Sequence, residues 1–363
     1  MSNRTGLRAF GLALMLASAT GVLAVGAASA QDWKPEFVDG KLQPLADGFP
    51  SEDITLIVAD SASSAEGILM QNLVEIAGKY SPVDIKAEAR EDFEAFGSWE
   101  TLKYAADTEG GTDGYINIIF GTPGGLVDLH AAPVKKDVGV GLDDLSEIIT
   151  LEDRPYAVIQ CSTVSWEPTW QALIDHIKAN PGKLRYMGGG PGAGTDMTFA
   201  YYIHTLGIGN LYDKASVDPI DVGNTSDRAL ATAACEGDVT TTTMDLALTH
   251  TQSGKVKVLL VGQDKRIEQF PDVPTAAEVA IPDDPMSSTK QIIVPKAVSP
   301  EHVQWLYALW NAVASDKDYQ AKRLQVQVGT EIDIRDPAAS AALNDASDKK
   351  MDELIKTLGI SVE

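Results

Sequence analysis

Short apolar runs alternate with segments of helical periodicity along most of this chain. Ile54–Ala59, ITLIVA, has the length and character of a buried central strand. Leu69, Met70, Leu73, Ile76 and Ala77 then recur on one face of a helix. The polar segment Asp60–Glu66 joins the two, and Ser63 and Glu66 stand at capping-box spacing, which gives Glu66 a structural role. A second unit repeats the logic: Ile116–Phe120 reads as a strand and Gly121–Gly125 as its loop. Further on, Tyr156–Gln160 is an apolar strand, and Trp170, Leu173, Ile174 and Ile177 predict a helix over about 168–180. Asn180-Pro181-Gly182 stops that helix, Lys183–Met187 alternates as a strand, and the glycine-rich loop Gly188–Gly194 follows. Thr195 and Asp196 are the candidate N-caps of the next helix. Residues 31–50 read as an extended lead-in. The strand–helix alternation predicts α/β lobes with largely parallel sheets.

Three strand–loop–helix corners, Asp60–Glu66, Gly121–Gly125 and Gly188–Asp196, thus carry small, polar or glycine-rich loops. In open α/β sheets such loops lie at the carboxyl ends of the strands, where ligands bind, and loops from separate lobes face each other across a cleft. Backbone N–H groups beside a helix start suit an anion. The glycines also have a plainer reading as tight-turn residues. No Lys-Ser/Thr pair closes the third loop, which excludes a P-loop. Gly188-x-Gly190-x-x-Ala193, with Asp213 about twenty residues on, satisfies only the relaxed dinucleotide pattern.

Arg4 and Arg8 precede an uncharged apolar run from Ala9 to Ala27, and Ala28-Ser29-Ala30 has the small-residue pattern of a cleavage site. The expectation is an exported periplasmic protein, with residues 1–30 a signal peptide cut near Ala30 so that the mature chain begins at Gln31. A membrane anchor is the competing reading of so long a run. The Ala-x-Ala ending favours cleavage, and no cysteine follows to carry a lipid. Cleavage leaves 333 residues, a size natural for two lobes. Losing two arginines moves the net charge from −23 to −25. So acidic a surface opposes nucleic acid and anionic membranes, and it opposes long-range attraction of anions. An anion site must therefore act at close range, through dipoles and hydrogen bonds.

Export permits a disulfide between Cys161, at the end of an apolar strand, and Cys235, in the Ala-rich helix Arg228–Ala234; two buried thiols are the alternative. The histidines, at 130, 176, 204, 250 and 302, show no metal-ligand spacing, and there is no nucleophile elbow. No cofactor, metal or catalytic residue is expected.

Four segments together resemble the extracytoplasmic solute receptors of tripartite tricarboxylate transporters, the TctC or Bug family. They are Phe49-Pro50-Ser51 followed by Ile54–Val58, Asp113-Gly114-Tyr115 with Gly121-Thr122, Ala179–Leu184 with Tyr186, and Phe270–Thr275 with Glu278. They occur in that family's order, and the likeness covers nearly the whole mature chain. The resemblance implies a type II periplasmic-binding-protein fold. Two α/β lobes, 31–152 with 264–363 and 153–263, would enclose a ligand cleft. It implies a receptor that holds an organic carboxylate through amides, hydroxyls and waters rather than a salt bridge. That receptor is expected to be a monomer and to deliver its ligand to the permease subunits.

On this reading the ligand meets Ser61, Ser63, Ser64, Ala65 and Thr122 from the first lobe. From the second it meets Gly189, Gly190, Thr195, Asp196, Asn224 and Thr225. The chain departs from the family at Ser63–Gly67, at Asp196, at Asn224-Thr225-Ser226 and at Thr240–Thr243. Asp196 either caps its helix, the favoured reading, or accepts a ligand hydroxyl or amine. Arg90, Arg154, Arg185 and Arg228 are the candidate arginines, and no motif marks any of them. The rival readings are an exported enzyme using the 188–194 loop on a nucleotide-like cofactor, and a ligand sensor that docks on a kinase.

Overall fold

Strand directions in this protein organise two five-stranded sheets. The computed structural model describes residues 33–90, 98–131, 139–191, 193–281, 288–326 and 332–360; the expected signal peptide and cleavage point lie outside them. In the first sheet the order is Ile85–Ala89, Ile54–Val58, Ile116–Gly121, Ser288–Pro295, Leu145–Arg154. The first three strands run parallel, whereas Ser288–Pro295 is antiparallel to both of its neighbours. In the second the order is Val256–Val261, Tyr156–Cys161, Val239–Thr243, Arg185–Gly188, Asp218–Asp221. There Tyr156–Cys161 is the antiparallel member. Each sheet is therefore largely parallel, with four strands in one direction and a single strand against them.

The antiparallel strands exist because the chain crosses between the sheets twice. Leu145–Arg154 leaves the first sheet and Tyr156–Cys161 enters the second with Pro155 alone between them. Val256–Val261 closes the second sheet, and the chain returns to the first at Ser288. In register, Arg154 stands beside Ser288 and Glu152 beside Lys290. The crossing strands thus bring charged residues together where the two sheets meet.

Helices cover the sheets through the apolar stripes the sequence shows. Leu69, Met70, Leu73, Ile76 and Ala77 of helix Ala65–Ala77 are all buried, as are Trp170, Leu173, Ile174 and Ile177 of helix Trp170–Ala179. Thr169 caps the latter with its side chain, 3.2 Å from the Ala172 N–H. Among the described residues no helix is long and apolar enough to cross a membrane.

Cys161 and Cys235 form a disulfide with a Cα–Cα distance of 5.3 Å. Helix Thr225–Ala233 ends just before Cys235, so the bond ties that helix to the end of the Tyr156–Cys161 strand. The cross-link encloses a loop of 74 residues, a length at which loop-closure entropy is worth ~4 kcal/mol in the chain-entropy account. Reduction should lower the denaturant midpoint of the protein substantially, and urea titrations with and without reductant check it; coincident curves would show that the bond contributes nothing.

Candidate functional site

The first loop closes tightly on its own helix. Ser64, not Ser63, is the N-cap: its hydroxyl accepts the Gly67 N–H at 3.0 Å and donates to the Ser61 carbonyl at 2.8 Å. A Cβ at Gly67 would lie 2.3 Å from that carbonyl, so only glycine lets the loop sit so close. The expected Ser63–Glu66 capping box is therefore absent, and the Glu66 side chain has another partner. Its carboxylate lies 2.6 Å from the ammonium of Lys290 and 3.9 Å from the guanidinium of Arg154. Lys290 comes from the crossing strand Ser288–Pro295, in register with Gly121. A Cβ at Gly121 would stand 2.8 Å from the Lys290 ammonium. The glycine that opens the second loop keeps room for a cation.

Behind this pair lies a buried cluster. Arg154 donates to Glu152 at 2.6 Å, and Arg323 donates to both oxygens of the same carboxylate at 3.0 and 2.7 Å. Burial works against a charged Glu152, yet Arg154 and Arg323 outweigh it and hold the carboxyl below its ordinary range. The Lys290 charge has the same effect on Glu66, whose pKa falls to about 2 against a smaller opposing cost of burial.

The third loop is used differently from the expectation. Its helix runs Gly194–Thr205 with Ala193 at the cap, so neither Thr195 nor Asp196 caps it. Asp196 instead folds back into the loop, where its carboxylate accepts the amides of Gly189 and Gly190 at 2.9 and 3.0 Å. The loop does bind an anion, and the anion is the chain's own. Arg228 completes the pairing at 3.2 Å, and its other terminal nitrogen donates to the Thr225 hydroxyl at 2.8 Å. Burial pushes the Asp196 carboxyl up to about 6, against the pull of Arg228 and the two amides. A Cβ at Gly189 would lie 2.4 Å from the Arg228 guanidinium, so here too a glycine makes space for a cation. With both amides committed, the dinucleotide pattern has no free cradle. Asp213, its acidic partner, holds a local turn by accepting the Ala215 N–H at 2.9 Å.

These loops line a cavity of about 680 Å³ between the two sheets. Of the sequence-predicted residues, Ser61, Thr122, Gly189, Thr195, Asn224 and Thr225 line it. Thr122 pairs its hydroxyl with Thr289, and Asn224 caps helix Thr225–Ala233 by accepting the Asp227 N–H at 3.0 Å. Ser63, Ser64, Ala65, Gly190 and Asp196 are not on the lining. Ser64 and Gly190 spend their polar groups within their own loops, and the Ser63 hydroxyl meets that of Ser61 at 3.2 Å. Sequence reasoning missed Glu66 as a wall residue, Tyr156 and Lys290, and it left Arg228 unmarked among the arginines; all four line the cavity. One signal was present: Lys290 interrupts a strand whose every residue is buried. Among the described residues, Arg228 Nε and Thr195 Oγ1 are buried without a hydrogen-bond partner.

Residues 112–360 match the family described as tripartite tricarboxylate transporter family receptor. A UPF0065 protein of Bordetella pertussis is 27% identical over 243 residues, 64% of this chain and 68% of that one. Among solved structures, a TctC solute binding protein from Polaromonas shares the fold with a TM-score of 0.67 and 21% identity. The match covers 85% of this chain and 99% of that one. MatC from Rhodopseudomonas palustris, solved with bound malate, shares it with a TM-score of 0.66 and 16% identity, covering 85% and 100%.

The Glu66–Lys290 pair sets a pH dependence. The folded pKa of Glu66 lies below its ordinary 4.5, so its contribution to stability is present above that value. It is lost as pH falls toward about 2. The carboxylate keeps 28% of its surface exposed, which limits the gain through solvent screening. Glu66→Gln removes this dependence. Urea midpoints at pH 5 and pH 3 should fall less between the two conditions for the variant than for the wild type, and equal falls would sink the assignment.

Proposed function

The chain belongs to the tripartite tricarboxylate transporter family of receptors, and from that premise we propose that it is a periplasmic receptor for a small organic carboxylate, which it delivers to the permease subunits of such a transporter. The observation that carries the ligand class is the cavity between the sheets, whose lining includes the two cationic residues Lys290 and Arg228. In a protein of net charge −23, two cations placed at one cavity, beside the Glu66 and Asp60 carboxylates on the same lining, support an anionic ligand that is held at close range. The malate held by the Rhodopseudomonas palustris neighbour, an organic carboxylate, supports the same reading.

In this mechanism 31–152 with 264–363 move as one lobe and 153–263 as the other. The chain crosses between the two sheets at Pro155 and again ahead of Ser288. The ligand enters the open cavity, and its carboxylate displaces water from the Glu66–Lys290 wall. Approach of the second wall then excludes solvent and strengthens each contact, because charges interact more strongly where water is absent. The closed form is the one the permease reads.

The test is a thermal-shift and calorimetric screen of residues 31–363 after unfolding and refolding to strip carried-over ligand. The panel holds mono-, di- and tricarboxylates, amino acids and nicotinamide cofactors. A ligand at a thousand times its Kd should stabilise by about 4 kcal/mol, a shift of several degrees. A carboxylate hit is expected; binding of a cofactor alone, or of no acid at millimolar concentration, would overturn the reading.

A further inference from the structure

The helix that brings Arg228 to the cavity is fastened at its two ends and weakly in between. At its head Arg228 pairs with Asp196, and Asn224 forms the cap. At its foot lies the Cys161–Cys235 disulfide. Between them, helix Thr225–Ala233 buries the uncharged side chains of Ala229, Ala231, Thr232 and Ala233, while Leu230, its one large apolar residue, is 56% exposed. Helix Trp170–Ala179, of similar length, buries Trp170, Leu173, Ile174 and Ile177. Hydrophobic stabilisation follows the apolar area removed from water, so alanines hold the first helix far less firmly than these side chains hold the second. Elements with little buried apolar area open at the lowest cost.

The turn that carries Cys235 accepts strain to place a cysteine there. The Cys235 N–H donates to the Thr232 carbonyl and the Glu236 N–H to the Ala231 carbonyl, both at 3.0 Å. These are the paired bonds of a Schellman helix end, in which the first residue past the cap is left-handed and usually glycine. Cys235 holds that conformation with a φ of 61°. The two sulfurs also stand in unequal surroundings. Cys161 is buried, whereas Cys235 is half-buried between the exposed residues Ala234 and Glu236. Exposed Thr163 serves both cysteines. Its N–H donates to Cys161 Sγ at 3.3 Å, and its hydroxyl lies 3.2 Å from Cys161 Sγ and 3.3 Å from Cys235 Sγ. A disulfide sulfur is a weak acceptor and a thiolate a strong one, so donors aimed at Cys161 Sγ favour it as a leaving group.

We infer that Cys161–Cys235 is a thiol–disulfide exchange site opened by an external dithiol, and that its opening releases helix Thr225–Ala233 and with it the Arg228 side of the cavity. A thiolate of the dithiol attacks Cys235 Sγ. A new sulfur–sulfur bond forms there as the Cys161–Cys235 bond breaks, and Cys161 leaves as a thiolate held by Thr163. The second thiolate of the dithiol then attacks its partner sulfur in the mixed disulfide and frees Cys235 as a thiolate. The dithiol is oxidised to a disulfide, its electron pair reduces the protein, and the protons it released restore both cysteine thiols. This chemistry is independent of which ligand the cavity takes.

Millimolar dithiothreitol on the folded protein, without denaturant, tests the inference through thiol counting and hydrogen exchange. The bond should open fully under these conditions. Exchange in Thr225–Ala233 should then quicken about tenfold or more, while Ile116–Gly121 and Trp170–Ala179 keep their rates. β-Mercaptoethanol, a monothiol, should leave its first adduct on Cys235, read by acid quench and mass spectrometry. Thr163→Val should slow opening about fivefold, the effect of one lost hydrogen bond, with the thermal midpoint unchanged. Cys161→Ala with Cys235→Gly suits the left-handed turn and should reproduce the fast exchange of the reduced helix. A bond that opens only in urea, or an opening that quickens Ile116–Gly121 as much as the helix, would make the disulfide a staple of the whole fold and overturn the inference. So would a first adduct on Cys161, a Thr163→Val protein that opens at the wild-type rate, or unaltered exchange in the helix.

Discussion

The Glu152 carboxylate is the constraint around which the rest of the cavity is arranged. It is fully buried, it belongs to a strand that crosses from one sheet toward the other, and it is held by Arg154 and Arg323 together. A buried ion cluster adds little net stability, because desolvating the charges offsets most of their attraction. Removing one member is costly, because it leaves the others unpaired in a medium that cannot solvate them. The cluster therefore acts as a positioning device. It holds Arg154 within reach of Glu66, and the strand register sets Lys290 beside Glu152. Helix Lys317–Val326 supplies Arg323, so an element remote in sequence from every loop helps to place the first wall.

The structure separates two electrostatic problems that the chain's composition merges. The surface is strongly acidic, and long-range fields repel anions. The cavity counters this over a few ångströms with ammonium and guanidinium groups. The glycine-rich loop, which looks like an anion cradle from its composition, is filled by Asp196 from the helix that follows it. An internal carboxylate there holds the loop shut and fixes Arg228 at the wall.

Much of the frame was legible because it follows from periodicity. Apolar runs such as Ile54–Val58 can only be buried, and the stripe from Leu69 to Ala77 can only face a sheet. The family likeness was legible too, because segments such as Ala179–Leu184 with Tyr186 keep their spacing. About half of the residues expected at the wall do line it, since Ser61, Thr122, Thr195 and Asn224 lie in or just after the loops that follow strands, which any α/β sheet presents to its cleft. What escaped depends on contacts between distant segments. Glu66 and Lys290 are 224 positions apart, and nothing local says that they meet. The choice of Ser64 over Ser63 as a cap, and of Asp196 as a loop clasp over a helix cap, turns on one-residue differences in backbone path. Patterns with a period cannot resolve those.

Gly121 and Gly189 tie the placing of the two cations to the smallest of side chains. Each is a position at which the smallest side chain decides where one of the largest charged ones rests. An added methyl at either would displace a cation without altering the net charge or the loops' backbone. Ligand range in such a receptor is therefore open to change by single, chemically silent substitutions outside the charged residues themselves.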